Sequence, residues 1–185
     1  KAASGINPDA VLYSQMDNDS GNATTSQNFE ATFDIYDNSG ADDFKVPKGV
    51  TWKVSSVDAA GQYSNAGPAV SEHVTFYSSA GGLPGAVVAD FPGKVGTDSS
   101  GTFSIPVKAK LKKGTYFVGV QVDMDFQIGG QWYWENRSVK SGSEAVWQNP
   151  GGGFGVGCTT WGTQAACLGG GPDLMFAING KSVAK

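Results

Sequence analysis

Residues 116–127 alternate without a break. Tyr116, Val118, Val120, Val122, Met124 and Phe126 are apolar, and Phe117, Gly119, Gln121, Asp123, Asp125 and Gln127 stand between them. Successive side chains of a strand point to opposite faces. The six apolar residues therefore line one face and a largely polar set lines the other. This pattern predicts a long antiparallel strand over 116–126 with one buried face. A helix would scatter the same six residues around its circumference. Val118, Val120 and Val122 are the predicted centre of the core.

The rest of the chain repeats the pattern in shorter pieces. Phe29, Ala31, Phe33 and Ile35 alternate with Glu30, Thr32, Asp34 and Tyr36, which predicts a strand. A short strand over 41–47 is closed by Pro47 and Gly49, and the next begins at Val50 with a kink near Ser55 and Ser56. Val70, Val74 and Phe76 begin another. Glu72 falls on its apolar side, which suggests a sheet edge. Residues 81–85 form a Gly/Pro turn, and 86–91 and 101–107 read as strands. Lys112, Lys113 and Gly114 are expected to turn the chain into the long strand, and Gly129-Gly130 to make a second hairpin. Leu174, Phe176 and Ile178 form a final strand ending at Asn179-Gly180. Nothing has the length and period of a helix.

A chain of 185 residues, 39% hydrophobic and 16% charged, is apolar enough to bury one sizeable core. With 27 glycines punctuating short alternating runs, it reads as a single all-β domain. About nine or ten strands at this spacing predict an antiparallel β-sandwich, jelly-roll-like. It is expected to comprise a polar arm (1–11), a core (12–178) with a Gly/Trp-rich arch over 141–171, and a tail (179–185). The net charge of −4 argues against nucleic acid as a partner. No apolar run is long enough to span a membrane. Residues 1–5 lack the apolar stretch of a signal peptide, so the start reads as a mature N-terminus or a cut domain.

Cys158 and Cys167 are the two cysteines, with eight residues between them. A metal or redox pair needs closer spacing or further ligands, and the single histidine, His73, is distant in sequence. A local disulfide is expected, which implies an oxidising compartment outside the cell or on its surface.

No catalytic residue is predicted. His73 lies alone on the polar side of a strand, and no nucleophile elbow, zinc motif or phosphate loop is present. Two groups remain as candidates for binding. The loop over 17–22 places oxygen ligands at alternate positions, and Asp17 and Asp19 with Asp42 and Asp43 form a candidate calcium site. The alternative is a solvated turn whose Asp and Asn side chains bond their own backbone. Trp132 and Trp134 share a strand face and form a candidate platform for sugar rings. The alternative is that both indoles close the core.

Several stretches in order, among them LYSQMDNDSGN, ADDFKVPKGVTW, VTFYSSAGGLPGAVV, GGQWYWENRS and WQNPGGGFGVGCTTWG, give the chain a family resemblance. It resembles the accessory β-sandwich domains of secreted bacterial hydrolases and surface proteins over residues 12–178. The resemblance implies an extracellular, non-catalytic role and assigns no catalytic residue. The expected function is a structural or adhesive module that assembles with copies of itself through its terminal arm, into filaments where the contact does not close. The alternative is a carbohydrate-binding accessory module with an extracellular polysaccharide as partner.

Overall fold

Two strands of more than twenty residues each carry the molecule. The computed structural model describes residues 9–185. In chain order it holds β1 (Ala10–Ser14), β2 (Asp19–Thr25), β3 (Gln27–Asn28), a 3-10 turn (Ala31–Tyr36), β4 (Ser39–Ala59), β5 (Gly61–Tyr63), β6 (Ser71–Ala80), β7 (Leu83–Lys94) and β8 (Thr97–Ser99). Then come β9 (Thr102–Asp123), α1 (Phe126–Gly129), β10 (Trp132–Arg137), β11 (Val146–Gln148), β12 (Gly162–Thr163), α2 (Gln164–Leu168), β13 (Asp173–Leu174) and β14 (Phe176–Ala184).

The larger sheet runs β1-β14-β4-β9-β6-β7, and the smaller is built on β10, which pairs with β2, β5 and β13. Among the described residues all pairings are antiparallel except the two-residue β3–β9 contact. The sheets pack face to face as a β-sandwich. Trp132 and Trp134 from the smaller sheet meet Phe103 and Phe176 from the larger one.

The 116–126 run is central, flanked by β4 and β6, and Val118, Val120 and Val122 are fully buried. Its limits differ from the prediction. The strand begins at Thr102, so Lys112-Lys113-Gly114 make no hairpin; they lie opposite an irregularity in β4 between Val46 and Thr51. That irregularity absorbs Pro47 and Gly49 without ending the strand, and the two strands predicted there are one. β-Bulges let a long strand bend while pairing continues on both sides. The strand stops at Asp123, and Phe126 opens α1.

The second face of β9 is also covered. Phe117 is fully buried with Ala41 and Val146 in a satellite cluster, roofed by Tyr77, Leu83 and Trp161. Alternation of exposed and buried residues therefore holds over 104–111 and fails over 117–120.

Other expectations shift in the same way. Glu72 lies between β7 and β9, away from any edge; it is buried and accepts from the Gly96 amide at 2.8 Å. Gly81 and Gly82, both at positive φ, close the β6–β7 hairpin, a conformation glycine adopts without steric cost. Gly129-Gly130 join strands of different sheets and make no hairpin. β14 continues past Asn179-Gly180 to Ala184 through a register shift, so most of the expected tail is strand. Ala10 and Val11 of the expected arm pair with Gly180 and Asn179 of the same chain. Residues 1–8 of that arm lie outside the described residues.

The arch over 141–171 is held by Cys158 and Cys167, which are bonded to each other as expected. Trp161 lies edge-on to Tyr77 at 5.8 Å between ring centres. Closing so short a loop stabilises by roughly 2.5 kcal/mol through lost unfolded-chain entropy. Reduction is expected to lower the urea midpoint accordingly while the far-ultraviolet signature of the sheets persists. A midpoint unmoved by reductant would show that the arch holds without its bond.

Candidate functional site

Trp132 and Trp134 do not form a solvent-facing platform. Both are fully buried. The Trp132 indole donates to the Gly101 carbonyl at 2.7 Å and that of Trp134 to the Met175 carbonyl at 2.8 Å. They share a strand face as the spacing required, but that face is turned to the core.

The four candidate calcium ligands each have protein partners. Asp42 is fully buried and accepts from the Gln15 amide at 2.6 Å and the Leu174 N–H at 2.7 Å. Asp43 accepts from the Ser143 N–H. Asp17 pairs with Arg137 at 2.8 Å, and Asp19 accepts from the Gly21 N–H in a local turn. Among the described residues no group of three or more His, Cys, Asp or Glu side chains is placed to hold a metal ion.

These acids instead frame a buried polar network unseen in the sequence. Arg137 bridges Asp17 and Asp173, the latter at 3.1 Å, with only 5% of its surface exposed. Burial pushes Asp173 up to about 6, against the pull of the Ser141 N–H and Arg137. Burial, reinforced by the nearby Asp173 charge, holds Asp42 well above the usual carboxylate range. His73 meets Asp90 at 2.7 Å on the exposed side of β6 and β7.

An aromatic pocket lies elsewhere, where the chain leaves one sheet for the other. It is lined by Phe29, Phe33, Tyr36, Phe126, Gln131 and Phe154 and holds about 270 Å³. Residues 31–35 were expected to continue a strand. They coil instead, and in a 3-10 turn residues three apart eclipse, so Phe33 and Tyr36 project together. The rings stand edge-on in sequence: Phe29 on Phe126, Phe126 on Phe33, Tyr36 on Phe154, and Phe154 on Trp147. Edge-to-face rings attract through their quadrupoles, so these walls support one another.

Polar contacts fix the walls. Buried Asn149 donates from its amide to the carbonyls of Ile35 and Asp37, each at 2.8 Å, and accepts from the Phe154 N–H at 3.0 Å. Gly153 donates its N–H to the Ile35 carbonyl. A Cβ on Gly151 or Gly153 would stand within 2.7 Å of Ile35 backbone atoms. The glycine run of the arch thus lets backbone lie directly against the turn.

Two carboxylates tie the remaining parts. Glu30 accepts from the Phe126 N–H at 2.7 Å, and Asp37 from the Phe29 N–H at 2.8 Å. Desolvation pulls Glu30 upward, but the amides of Phe126, Glu30 and Gln127 together outweigh it and hold its carboxyl below the usual range. Burial raises Asp37, only partly countered by the Phe29 amide, and the charges of Asp34 and Asp123 add to the rise.

The sequence did hold one signal for the pocket. Phe29, Phe33 and Tyr36 follow a four-then-three spacing that suits one side of a helical turn, and period-two alternation competes with it over the same residues. Phe126, Gln131 and Phe154 join through tertiary contacts alone. No protein-family model, curated protein or solved structure matches the chain.

Proposed function

We propose that the chain is a non-catalytic adhesive module acting outside the cell, and that it holds one sugar ring of an extracellular polysaccharide in the aromatic pocket. The observation that carries this reading is the preorganised ring of aromatic walls. Phe126 is 44% exposed, and Ile35 and Ile128 on the same two turns are 53% and 73% exposed. Apolar surface left open in one place marks an interaction site more often than scattered residues do. Sugar rings present apolar C–H faces that stack on aromatic rings, with hydroxyls at the rim for amides and carboxylates. Gln131 supplies an amide among the lining residues, while Glu30 and Asp37 hold the Phe126 and Phe29 backbone in place. The volume lies just below the roughly 300–1,000 Å³ of drug-sized sites, which suits one ring at a time. The disulfide supports an oxidising location. Among the described residues no helix is long and apolar enough to cross a membrane.

This reading moves the carbohydrate site away from the buried tryptophans. Of the expected arm, Ala10 and Val11 pair with β14 of the same chain, and residues 1–8 lie outside the described residues.

Pull-down on insoluble cellulose, xylan and chitin tests the proposal. The wild-type chain is expected to be retained on at least one. Phe126→Ala, at an exposed position, is expected to weaken retention about tenfold or more while melting close to wild type. Equal retention of both forms, or none of the wild type on any of the three, would overturn it.

A further inference from the structure

The outer face of the larger sheet carries lysines placed directly against one another. Lys181 of β14 pairs with Lys53 of β4, and Lys53 pairs with Lys110 of β9. Paired residues on neighbouring strands share a face, and like charges set opposite each other destabilise a sheet. Lys108 and Lys112 extend the row along β9, both exposed. Positions two apart on a strand are about 6.8 Å apart, and neighbouring strands about 4.8 Å. Beside the row runs a groove of about 630 Å³ lined in part by Lys53, Lys94, Lys108 and Lys181. Among the described residues that line it, Asp9 is the one acid and stands 4.0 Å from Lys181, at the limit of an ion pair. Asp58, further along β4, is engaged by the Asn179 amide. A chain of net charge −4 thus gathers positive charge on one rigid face, against its own overall balance.

We propose that this face binds a linear acidic polysaccharide, whose successive carboxylates meet the lysine row. The register of three paired strands fixes the lysine stems, so little backbone ordering is needed on binding. Lysine presents a compact point charge without the planar fork that clasps a single phosphate. The chain's one arginine is buried in the Asp17–Asp173 network. Many point charges in a row suit a polymer with many separated anions. The choice of a polysaccharide rests on the function proposed above; the basic face itself does not.

Affinity electrophoresis in polygalacturonate tests it. The wild-type chain is expected to be retarded at about 50 mM salt and to bind at least tenfold more weakly at about 200 mM, as contacts made by several exposed cations do. Lys53→Gln/Lys110→Gln/Lys181→Gln is expected to lose binding about tenfold or more and to melt no lower than wild type, since the like-charge pairs are gone. If the triple variant melts lower, Lys108→Gln/Lys110→Gln on exposed β9 positions replaces it, with the same loss expected. The lysine variant is expected to keep whatever retention on insoluble cellulose, xylan or chitin the wild type shows, which separates this face from the aromatic pocket. Absence of retardation, equal retardation of wild type and a folded lysine variant, or binding to polyphosphate alone would overturn the proposal.

Discussion

Trp134→Ala is expected to lower the stability of the domain by about 4–8 kcal/mol. The side chain is fully buried between the sheets, tilted against Trp132 and edge-on to Phe176 at 6.4 Å. Removing a buried Trp costs about 3–5 kcal/mol through lost burial and the cavity left behind. The Met175 carbonyl also loses its indole donor, and an orphaned buried polar group costs about 1–3 kcal/mol more. Domains are stable by only about 5–15 kcal/mol, so the sum is a large share of the whole. Urea titration followed by tryptophan fluorescence measures the loss. Trp134→Phe, which keeps a ring in the space, is expected to lose less. A midpoint for Trp134→Ala within experimental error of wild type would show that the indole is not a core element.

Arg137→Met is expected to cost about 3–5 kcal/mol at neutral pH, the usual range for breaking a buried pair by removing one partner. The guanidinium is nearly buried and bonds Asp17, Ser141 and Asp173. Without it, the Asp173 carboxylate, itself fully buried, would keep the Ser141 N–H but lose the cation beside it. The loss should shrink as pH falls, because a protonated Asp173 needs no cation. The wild type shows the same linkage with a definite sign. Asp173 titrates at about 6 in the folded chain against 3.8 for an ordinary aspartate, so the folded state binds its proton more tightly. That contribution is complete below 3.8 and is lost as pH rises through about 6. Asp42, raised in the same direction, adds to it. Asp17 and Asp90 are held below the usual range, so their stabilisation is lost at the acid end. The melting temperature of the wild type is expected to rise from pH 7 towards pH 5, and Arg137→Met should show a steeper rise. A flat profile in both proteins would remove Asp173 from the account.

Which parts of this were legible in the sequence follows from the range of the forces involved. The identity of β9 as a central strand was legible because alternation is a local consequence of backbone geometry. The disulfide was legible from the spacing of two cysteines and the lack of other ligands nearby. The ends of strands were not. Pro47, Gly49 and the Lys112-Lys113-Gly114 segment carry turn signals, yet pairing of β4 with β9 runs past both. Ladder hydrogen bonds on either side of a bulge hold together what local propensity would divide.

Residues 29–36 show the same competition with the opposite result. Their alternation suits a strand, but after Asn28 pairs with Asp123 the next residues that rejoin the sheet begin at Ser39. Between those points the chain coils. Asn149 and the arch glycines then hold the coil in place from more than a hundred residues away.

Sequence alone thus determined the fold class, the buried face of the central strand and the covalent closure of the arch, all of which depend on neighbours along the chain. It determined that Trp132 and Trp134 share a face, since period two requires it. Only tertiary structure decided which way that face turns, because a sandwich buries whichever surface its second sheet covers. In the same way, assembly alone gathered Phe29, Phe33, Tyr36, Phe126 and Phe154 into one pocket and set Lys181, Lys53 and Lys110 side by side. Each of those sets comes from at least three segments far apart in the chain, and registers between distant strands are fixed by packing rather than by local propensity.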